Sequence, residues 1–127
     1  MTVSLIRKPL TDSIIAAAID VHRALGPGLL ESAYEACLCH EFDLRAIPYA
    51  RQLHLPLEYK GIQLDCGYRI DVLVDNTVIV EIKAVERILE IHEAQLLTYM
   101  RLLRKSVGLL TNFNSAVLKD GIRRRVL

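Results

Sequence analysis

The stretch YRIDVLVDNTVIVEIKA, from Tyr68 to Ala84, decides how the chain folds and what chemistry it can perform. Apolar residues fill both halves of this stretch, and the polar run Asp75–Thr77 separates them. Two short apolar runs rich in β-branched residues, joined by turn-forming residues, are typical of a β-hairpin. We therefore predict two antiparallel strands in this part of the chain.

The length of the connecting loop decides whether the three ionisable residues Asp71, Glu81 and Lys83 meet. A two-residue loop sends Asp71 and Glu81 to opposite faces, because a slip of one residue inverts every side chain in a strand. A three-residue loop over Asp75–Thr77 places Asp71 opposite Glu81, and Lys83 lies on the same face two residues later. Only the second register brings the three charges together.

In that register the two carboxylates stand about 5 Å apart between their Cβ atoms, beside the ammonium of Lys83. Carboxylates this close repel each other unless a cation separates them or one of them is protonated. Mg²⁺ suits such a pair because it takes oxygen ligands, polarises phosphoryl oxygens and lowers the pKa of a bound water. The alternative is a hairpin with a solvated polar face. Leu73 and Ile79, which share the face of the carboxylates, argue against that alternative.

The sequence around the hairpin predicts a mixed α/β domain with a central sheet flanked by helices, in the order ααβββαββ. The first helix is expected to begin after Pro9, with capping oxygens from Thr11, Asp12 and Ser13, and to end at Gly26-Pro27-Gly28. The other predicted elements are a helix over Leu29–Arg45, strands over Arg51–Tyr59, Ile62–Val74 and Val78–Ala84, a helix over Ile88–Arg104, a strand over Val107–Leu110, and a last strand over Ala116–Lys119 or Ile122–Val126.

The length of 127 residues and the balanced composition indicate one globular domain over residues 1–127. Sixteen Lys and Arg residues against fifteen Asp and Glu residues give a net charge of +1, which excludes a strong overall attraction to nucleic acid. Three cysteines without a CxxC pair indicate reduced thiols in the cytoplasm rather than a zinc site. The sequence has neither the roughly 18 apolar residues of a membrane-spanning helix nor a signal-peptide pattern, so no membrane partner is expected.

The pattern Asp71-x9-Glu81-x-Lys83 resembles the core of the PD-(D/E)xK nuclease superfamily, although Ile70 stands where the name-giving proline would be. The segment GLLESAY, residues 28–34, is similar to the signature of the GxxExxY protein family, a small-domain branch of that superfamily. Further matching residues follow in the expected order along nearly the whole chain. They are His22, Tyr59-Lys60-Gly61, Gln95, Tyr99, Gly108-Leu109-Leu110 and Asn112-Phe113.

This resemblance implies a restriction-endonuclease-like fold and a metal-dependent nuclease that hydrolyses phosphodiester bonds in DNA, with a one- or two-metal mechanism that uses Mg²⁺ or Mn²⁺. It also implies that Asp71, Glu81 and the Ile82 carbonyl bind the metal, and that Lys83 is the catalytic lysine. The alternative is a catalytically silent module that binds nucleic acid or a protein partner, and either form is compatible with a homodimer. The resemblance further implies that Glu31 lies beside the metal, directly or through water, and that Gln95 and Tyr99 support the site or the DNA backbone.

Three residues of the matching segments also have purely structural interpretations. Glu31 is a favourable anion in the first turn of a helix, and Tyr34 is an ordinary core aromatic residue. His22 falls on the helical face of Ala18 and Leu25, so we expect a hydrogen-bonded structural histidine that holds the Gly26-Pro27-Gly28 turn.

Basic residues near the third helix and the C-terminus offer a path for a phosphate backbone if they cluster on one rim. The alternative is favourable charge at a helix C-terminus and a solvated tail. These candidates for nucleic-acid binding are Arg101, Arg104, Lys105, Arg123, Arg124 and Arg125.

Overall fold

The computed structural model describes the backbone of residues 3–127 and the side chains of residues 8–127. Its elements follow the predicted classes, and the sheet is flanked by helices as expected. In chain order they are α1 (Val3–Leu25), α2 (Glu31–Leu44), β1 (Tyr49–His54), β2 (Leu57–Tyr59), β3 (Ile62–Leu64), β4 (Arg69–Val74), β5 (Val78–Lys83), α3 (Glu90–Leu103), β6 (Val107–Asn112), a 3-10 turn (Leu118–Gly121) and β7 (Ile122–Val126).

Five strands form one mixed sheet in the order β1-β4-β5-β6-β7, in which only the β5–β6 pair is parallel. The sheet is buried on both faces, since α1 and α2 pack on one face and α3 packs on the other. Apolar side chains therefore fill both faces of the central strands. On the α1–α2 face the sheet residues are Val72, Val74, Val78, Val80, Ile82, Val107 and Leu109, and on the α3 face they include Leu73, Ile79 and Leu110.

The β4–β5 hairpin has the register that a three-residue loop predicts. Val74 pairs with Val78, and Asp75 and Asn76 both have positive φ angles of 50°. The Thr77 N–H donates to the Val74 carbonyl at 2.9 Å, and Thr77 itself is left outside the ladder. Asp and Asn tolerate the left-handed conformation that this turn requires. The loop therefore fixes the face on which every ionisable side chain of the hairpin lies.

Two predicted strands are each divided in the structure. The segment predicted as Arg51–Tyr59 forms β1 and β2, and the segment predicted as Ile62–Val74 forms β3 and β4. Pro56 has no N–H for a ladder, and Gly67 has a φ of 76°, so the chain leaves the main sheet between these points. The intervening β2 and β3 make a separate two-stranded sheet.

The predicted start of the first helix was wrong. The helix begins at Val3 and continues through Pro9. The expected capping hydroxyls instead bond back within the helix: Thr11 Oγ1 donates to the Lys8 carbonyl, and Ser13 Oγ donates to the Pro9 carbonyl. Such hydroxyl bonds to a carbonyl three or four residues earlier are compatible with a helix interior. Of the two predicted last strands, Ile122–Val126 is the one that forms.

Among the helices of the described chain, none has both the length and the apolar character needed to cross a bilayer.

Gly121, at the end of the 3-10 turn, has no room for a side chain. A Cβ atom there would lie 2.6 Å from the Asn112 carbonyl oxygen, which is backbone and cannot rotate away. We predict that Gly121→Ala lowers the free energy of unfolding by about 2–3 kcal/mol in urea titrations. The control is Asp120→Ala at the exposed neighbouring position, which should change it by less than about 0.5 kcal/mol. Equal stability of the two variants would contradict this packing.

Candidate metal centre

The predicted carboxylate pair lies where β4 and β5 separate. Val72 and Val80 form the last pair of the ladder at this end of the hairpin, and Asp71 and Glu81 come one residue beyond it. The Oδ2 atom of Asp71 accepts a hydrogen bond from the Ile82 N–H at 2.8 Å. The Asp71 carboxylate thus replaces a β4 carbonyl as the acceptor for the Ile82 N–H, beyond the point where the β4–β5 ladder ends.

Glu81 is almost fully buried, with a relative exposure of 5%. Burial, followed by a side-chain hydrogen bond to Asp71 and the charge of that residue, raises the pKa of Glu81 to about 10, while the positive charge of Lys83 lowers it in part. Within the described residues, no hydrogen-bond partner reaches Glu81 Oε1. A buried carboxyl oxygen without a partner is costly, because it has lost water and gained nothing in return.

This environment fits a divalent cation. A cation beside Glu81 Oε1 would supply the missing partner and would offset the repulsion between the two carboxylates. The half-buried Lys83 provides a positive charge close enough to affect Glu81. Among residues 8–127, however, no three His, Cys, Asp or Glu side chains are grouped to hold a metal by themselves. The side-chain ligands that the described chain gathers at this point are therefore the two carboxylates of Asp71 and Glu81.

Glu31 approaches this centre from α2 but does not join the pair. It is exposed in the first turn of the helix and lines an open cleft together with Asp71 and Ile82. The resemblance allowed Glu31 to contact a metal either directly or through water. Its exposed position in the cleft favours contact through water.

Gln95 and Tyr99 of α3 approach from the other face of the sheet. Gln95 Nε2 donates to Tyr99 Oη at 2.9 Å, as their spacing of four residues in a helix allows. Burial raises the pKa of Tyr99, and the nearby carboxylates of Glu81 and Asp71 raise it further. The tyrosine hydroxyl therefore stays protonated as a hydrogen-bond donor in the field of the carboxylate pair.

The sequence interpretation missed an ion-paired group on the α2 side. Glu35 accepts hydrogen bonds from Arg51 Nε at 3.2 Å, from Arg51 Nη2 at 3.0 Å and from Gln52 Nε2 at 2.6 Å. Glu35 is 7% exposed and lines the cleft that contains Asp71. A signal was present in the sequence, because Glu35 shares a helical face with Leu38 and Phe42, and that face is buried.

Tyr34 and His22 have structural roles around the same end of the sheet. The Tyr34 ring stacks on Phe113 at a centroid distance of 4.6 Å, and its hydroxyl donates to the Gly26 carbonyl at 2.5 Å. Phe113 in turn donates its N–H to the Lys83 carbonyl at 2.9 Å. His22 is hydrogen-bonded as expected: its ring binds the Ser115 carbonyl at 2.8 Å, and its own carbonyl accepts the Gly26 N–H at 2.7 Å. The glycine turn is therefore held by the His22 backbone together with the Tyr34 hydroxyl.

The six predicted nucleic-acid-binding residues do not all lie on one face of the sheet. Lys105 donates to Asn76 in the β4–β5 turn, at the opposite end of β5 from Lys83. The β6–β7 register puts Arg124 on the α1 side of the sheet, whereas Arg125 pairs with Glu93 of α3. The remaining three, Arg101, Arg104 and Arg123, lie at the C-terminal end of α3 and near the start of β7.

The buried acid makes a prediction about stability. Glu81 holds a proton in the folded protein that the unfolded chain releases above about pH 4.5, so folding loses free energy as pH rises from there towards 10. We predict that Glu81→Gln, which cannot ionise, stabilises the metal-free protein by about 2–3 kcal/mol at pH 7. The advantage should grow by about 1 kcal/mol per pH unit between pH 5 and pH 8, measured by urea unfolding with a chelator present.

The matched control is Glu86→Gln, which changes an exposed glutamate just after β5. Its stability relative to the parent protein should not depend on pH. A Glu81→Gln variant that is less stable than the parent, or whose advantage does not vary with pH, would show that Glu81 is not held neutral.

A model of the PD-(D/E)XK nuclease superfamily matches residues 8–125, which is nearly the whole chain. Neither the curated proteins nor the solved structures yielded a match. The family match covers the separating hairpin, both helical layers and the β6–β7 pair, and it agrees with the fold described above. This chain therefore belongs to the PD-(D/E)XK nuclease superfamily.

Proposed function

We propose that this protein hydrolyses phosphodiester bonds in DNA with the help of Mg²⁺ or Mn²⁺, as a member of the GxxExxY branch of its superfamily. The observation that carries the proposal is the buried pair of Asp71 and Glu81 at the separating strands, with one glutamate oxygen left without a partner in the described chain. A structural role alone gives no reason to keep an acid at a position where burial raises its pKa to about 10.

Each residue at the centre has a role that its surroundings support. Asp71 and Glu81, with the Ile82 carbonyl, would hold the metal, and Glu31 would contact it through water. The bound metal supplies a polarised phosphoryl oxygen and a more acidic water molecule. The Glu81 carboxyl loses its proton on metal binding, because a ligating carboxylate must be ionised.

Lys83 and the α3 pair act on the substrate. The Lys83 ammonium orients the attacking water and stabilises the negative charge that develops on the phosphate. Tyr99 remains a donor because its pKa is raised, so its hydroxyl, held by Gln95, is available to a phosphate oxygen of the strand. The exposed Arg101 and Arg104 extend this path along α3 and provide attraction that does not depend on sequence.

The three cysteines of the chain are free, as expected for a reducing compartment, and we propose a cytoplasmic location on this basis. The alternative function is a catalytically silent module that keeps the fold and binds nucleic acid or a protein partner. DNA binding that needs neither metal nor Asp71, without any cleavage, would favour that alternative.

We predict that Asp71→Asn and Lys83→Met each lower the rate of DNA cleavage by at least about 100-fold. The assay uses purified protein, single- and double-stranded DNA, and Mg²⁺ or Mn²⁺, and addition of a chelator should stop the reaction. The matched control is Lys8→Met on α1, an exposed lysine paired with Asp12, which should leave the rate unchanged. Cleavage that survives both site substitutions would contradict the proposed mechanism.

We also predict that the double variant Arg101→Ala/Arg104→Ala weakens DNA binding about equally for all sequences. The slope of log affinity against log salt concentration should fall by the amount that about two phosphate contacts contribute. Fluorescence anisotropy over a range of salt concentrations measures both effects. Arg23→Ala, an exposed arginine of α1, is the control and should change neither quantity. A change of affinity at one salt concentration without a change of slope would place the DNA elsewhere.

A further inference from the structure

The edge strand β1 contains one residue whose backbone does not fit a strand. Gln52 has a φ of 49°, whereas the other non-glycine residues with positive φ in the described chain lie in turns or just after helices. An L-residue with a Cβ atom resists this conformation, so it persists only where its surroundings hold it. Residues held in such sparsely populated conformations cluster at functional sites.

Glu35 of α2 provides the contacts that hold this conformation. One of its carboxylate oxygens binds Arg51, and the other accepts a hydrogen bond of 2.6 Å from Gln52. Side chains of consecutive residues in a regular strand point to opposite faces, so one carboxylate cannot normally bind both. The left-handed backbone at Gln52 turns its side chain to the α2 side, where Arg51 already lies.

The position of this turn matters because Asp71 lies directly across from it. The β1–β4 register pairs Arg51 with Val72 and Leu53 with Ile70, which places residue 52 opposite Asp71. In a regular strand, the side chain of residue 52 would stand beside Asp71 on the same face. Here Glu35 holds the Gln52 side chain on the α2 side instead. Gln52 forms part of the wall of an open cleft of about 410 Å³ that Asp71 also borders, and the remaining lining residues are Glu31, Ser32, Glu35 and Ile82.

We infer that the left-handed backbone at Gln52, held by Glu35, keeps the cleft beside Asp71 open and admits a hydrated divalent cation to the carboxylate pair. Glu35 and Gln52 are thus positioning residues, and neither needs to touch the metal. This inference rests on the proposed function, since it assigns the route by which the metal reaches Asp71.

Two substitutions at residue 52 separate the backbone from the side chain. Gln52→Gly and Gln52→Val both remove the amide that binds Glu35, but glycine adopts a positive φ freely and a β-branched residue resists it. We expect the Mn²⁺ affinity of Gln52→Gly, measured by isothermal titration calorimetry, to stay within threefold of the parent value. Gln52→Val should weaken Mn²⁺ binding at least tenfold, because a regular strand turns residue 52 towards Asp71.

Gln52→Ala should give an intermediate affinity, and it replaces the valine variant in the comparison if thermal unfolding shows that the latter is not folded. Ala50→Val, a β-branched substitution at an exposed residue of the same strand, is the control and should bind Mn²⁺ like the parent protein. If Gln52→Gly and Gln52→Val lose Mn²⁺ affinity equally, or if neither loses any, the inference is overturned while the proposed function stands. Mn²⁺ binding by the parent protein that does not require Asp71 would overturn both.

Discussion

The separation of β4 and β5 beyond the Val72–Val80 pair is the constraint on which the site depends. Where β4 and β5 are paired, their backbone groups hydrogen-bond to each other. The side chains on the α3 face of the pair, Leu73 and Ile79, are apolar and pack against α3. One residue later the ladder stops, and Asp71 takes over an N–H of β5. The space created there holds a second acid, Glu81, at a depth where burial raises its pKa to about 10. The same constraint therefore creates both the buried acid that destabilises the folded protein and the pair of carboxylates on which the proposed metal site rests.

The two helical layers serve this centre in different ways. On the α3 side, Gln95 and Tyr99 present a donor to the space beside the carboxylates. On the α2 side, polar side chains hold the backbone in place: Glu35 fixes the edge strand β1, and Tyr34 fixes the glycine turn. Tyr34, in the segment that resembles the GxxExxY signature, is also connected to β5, because its ring partner Phe113 is hydrogen-bonded to the Lys83 backbone. This tyrosine thus supports the end of the sheet without facing the carboxylate pair.

The sequence was sufficient for features that depend on local spacing, and insufficient for those that depend on backbone irregularity. The hairpin register followed from the loop at Asp75–Thr77, because parity allows only two outcomes and each gives a distinct arrangement of acids. Glu35 was missed although its helical face with Leu38 and Phe42 indicates burial, because the partners that compensate its charge come from β1, which is distant in the sequence. The left-handed Gln52 was inaccessible, since no residue type specifies it, whereas Pro56 and Gly67 mark in the sequence the points at which the two predicted strands divide. Pro9 misled the helix prediction because a proline marks a helix start more often than it lies inside one.

The central claim is that Glu81 and Asp71 share one divalent cation at the point where their strands separate. The most direct test is the anomalous difference density of a crystal soaked in Mn²⁺ near neutral pH. The account predicts one strong peak within about 2.1 Å of an oxygen of each carboxylate, with Glu81 Oε1 no longer without a partner. A map with no peak between them, or with manganese bound only by other side chains while Glu81 stays buried and unliganded, would contradict it.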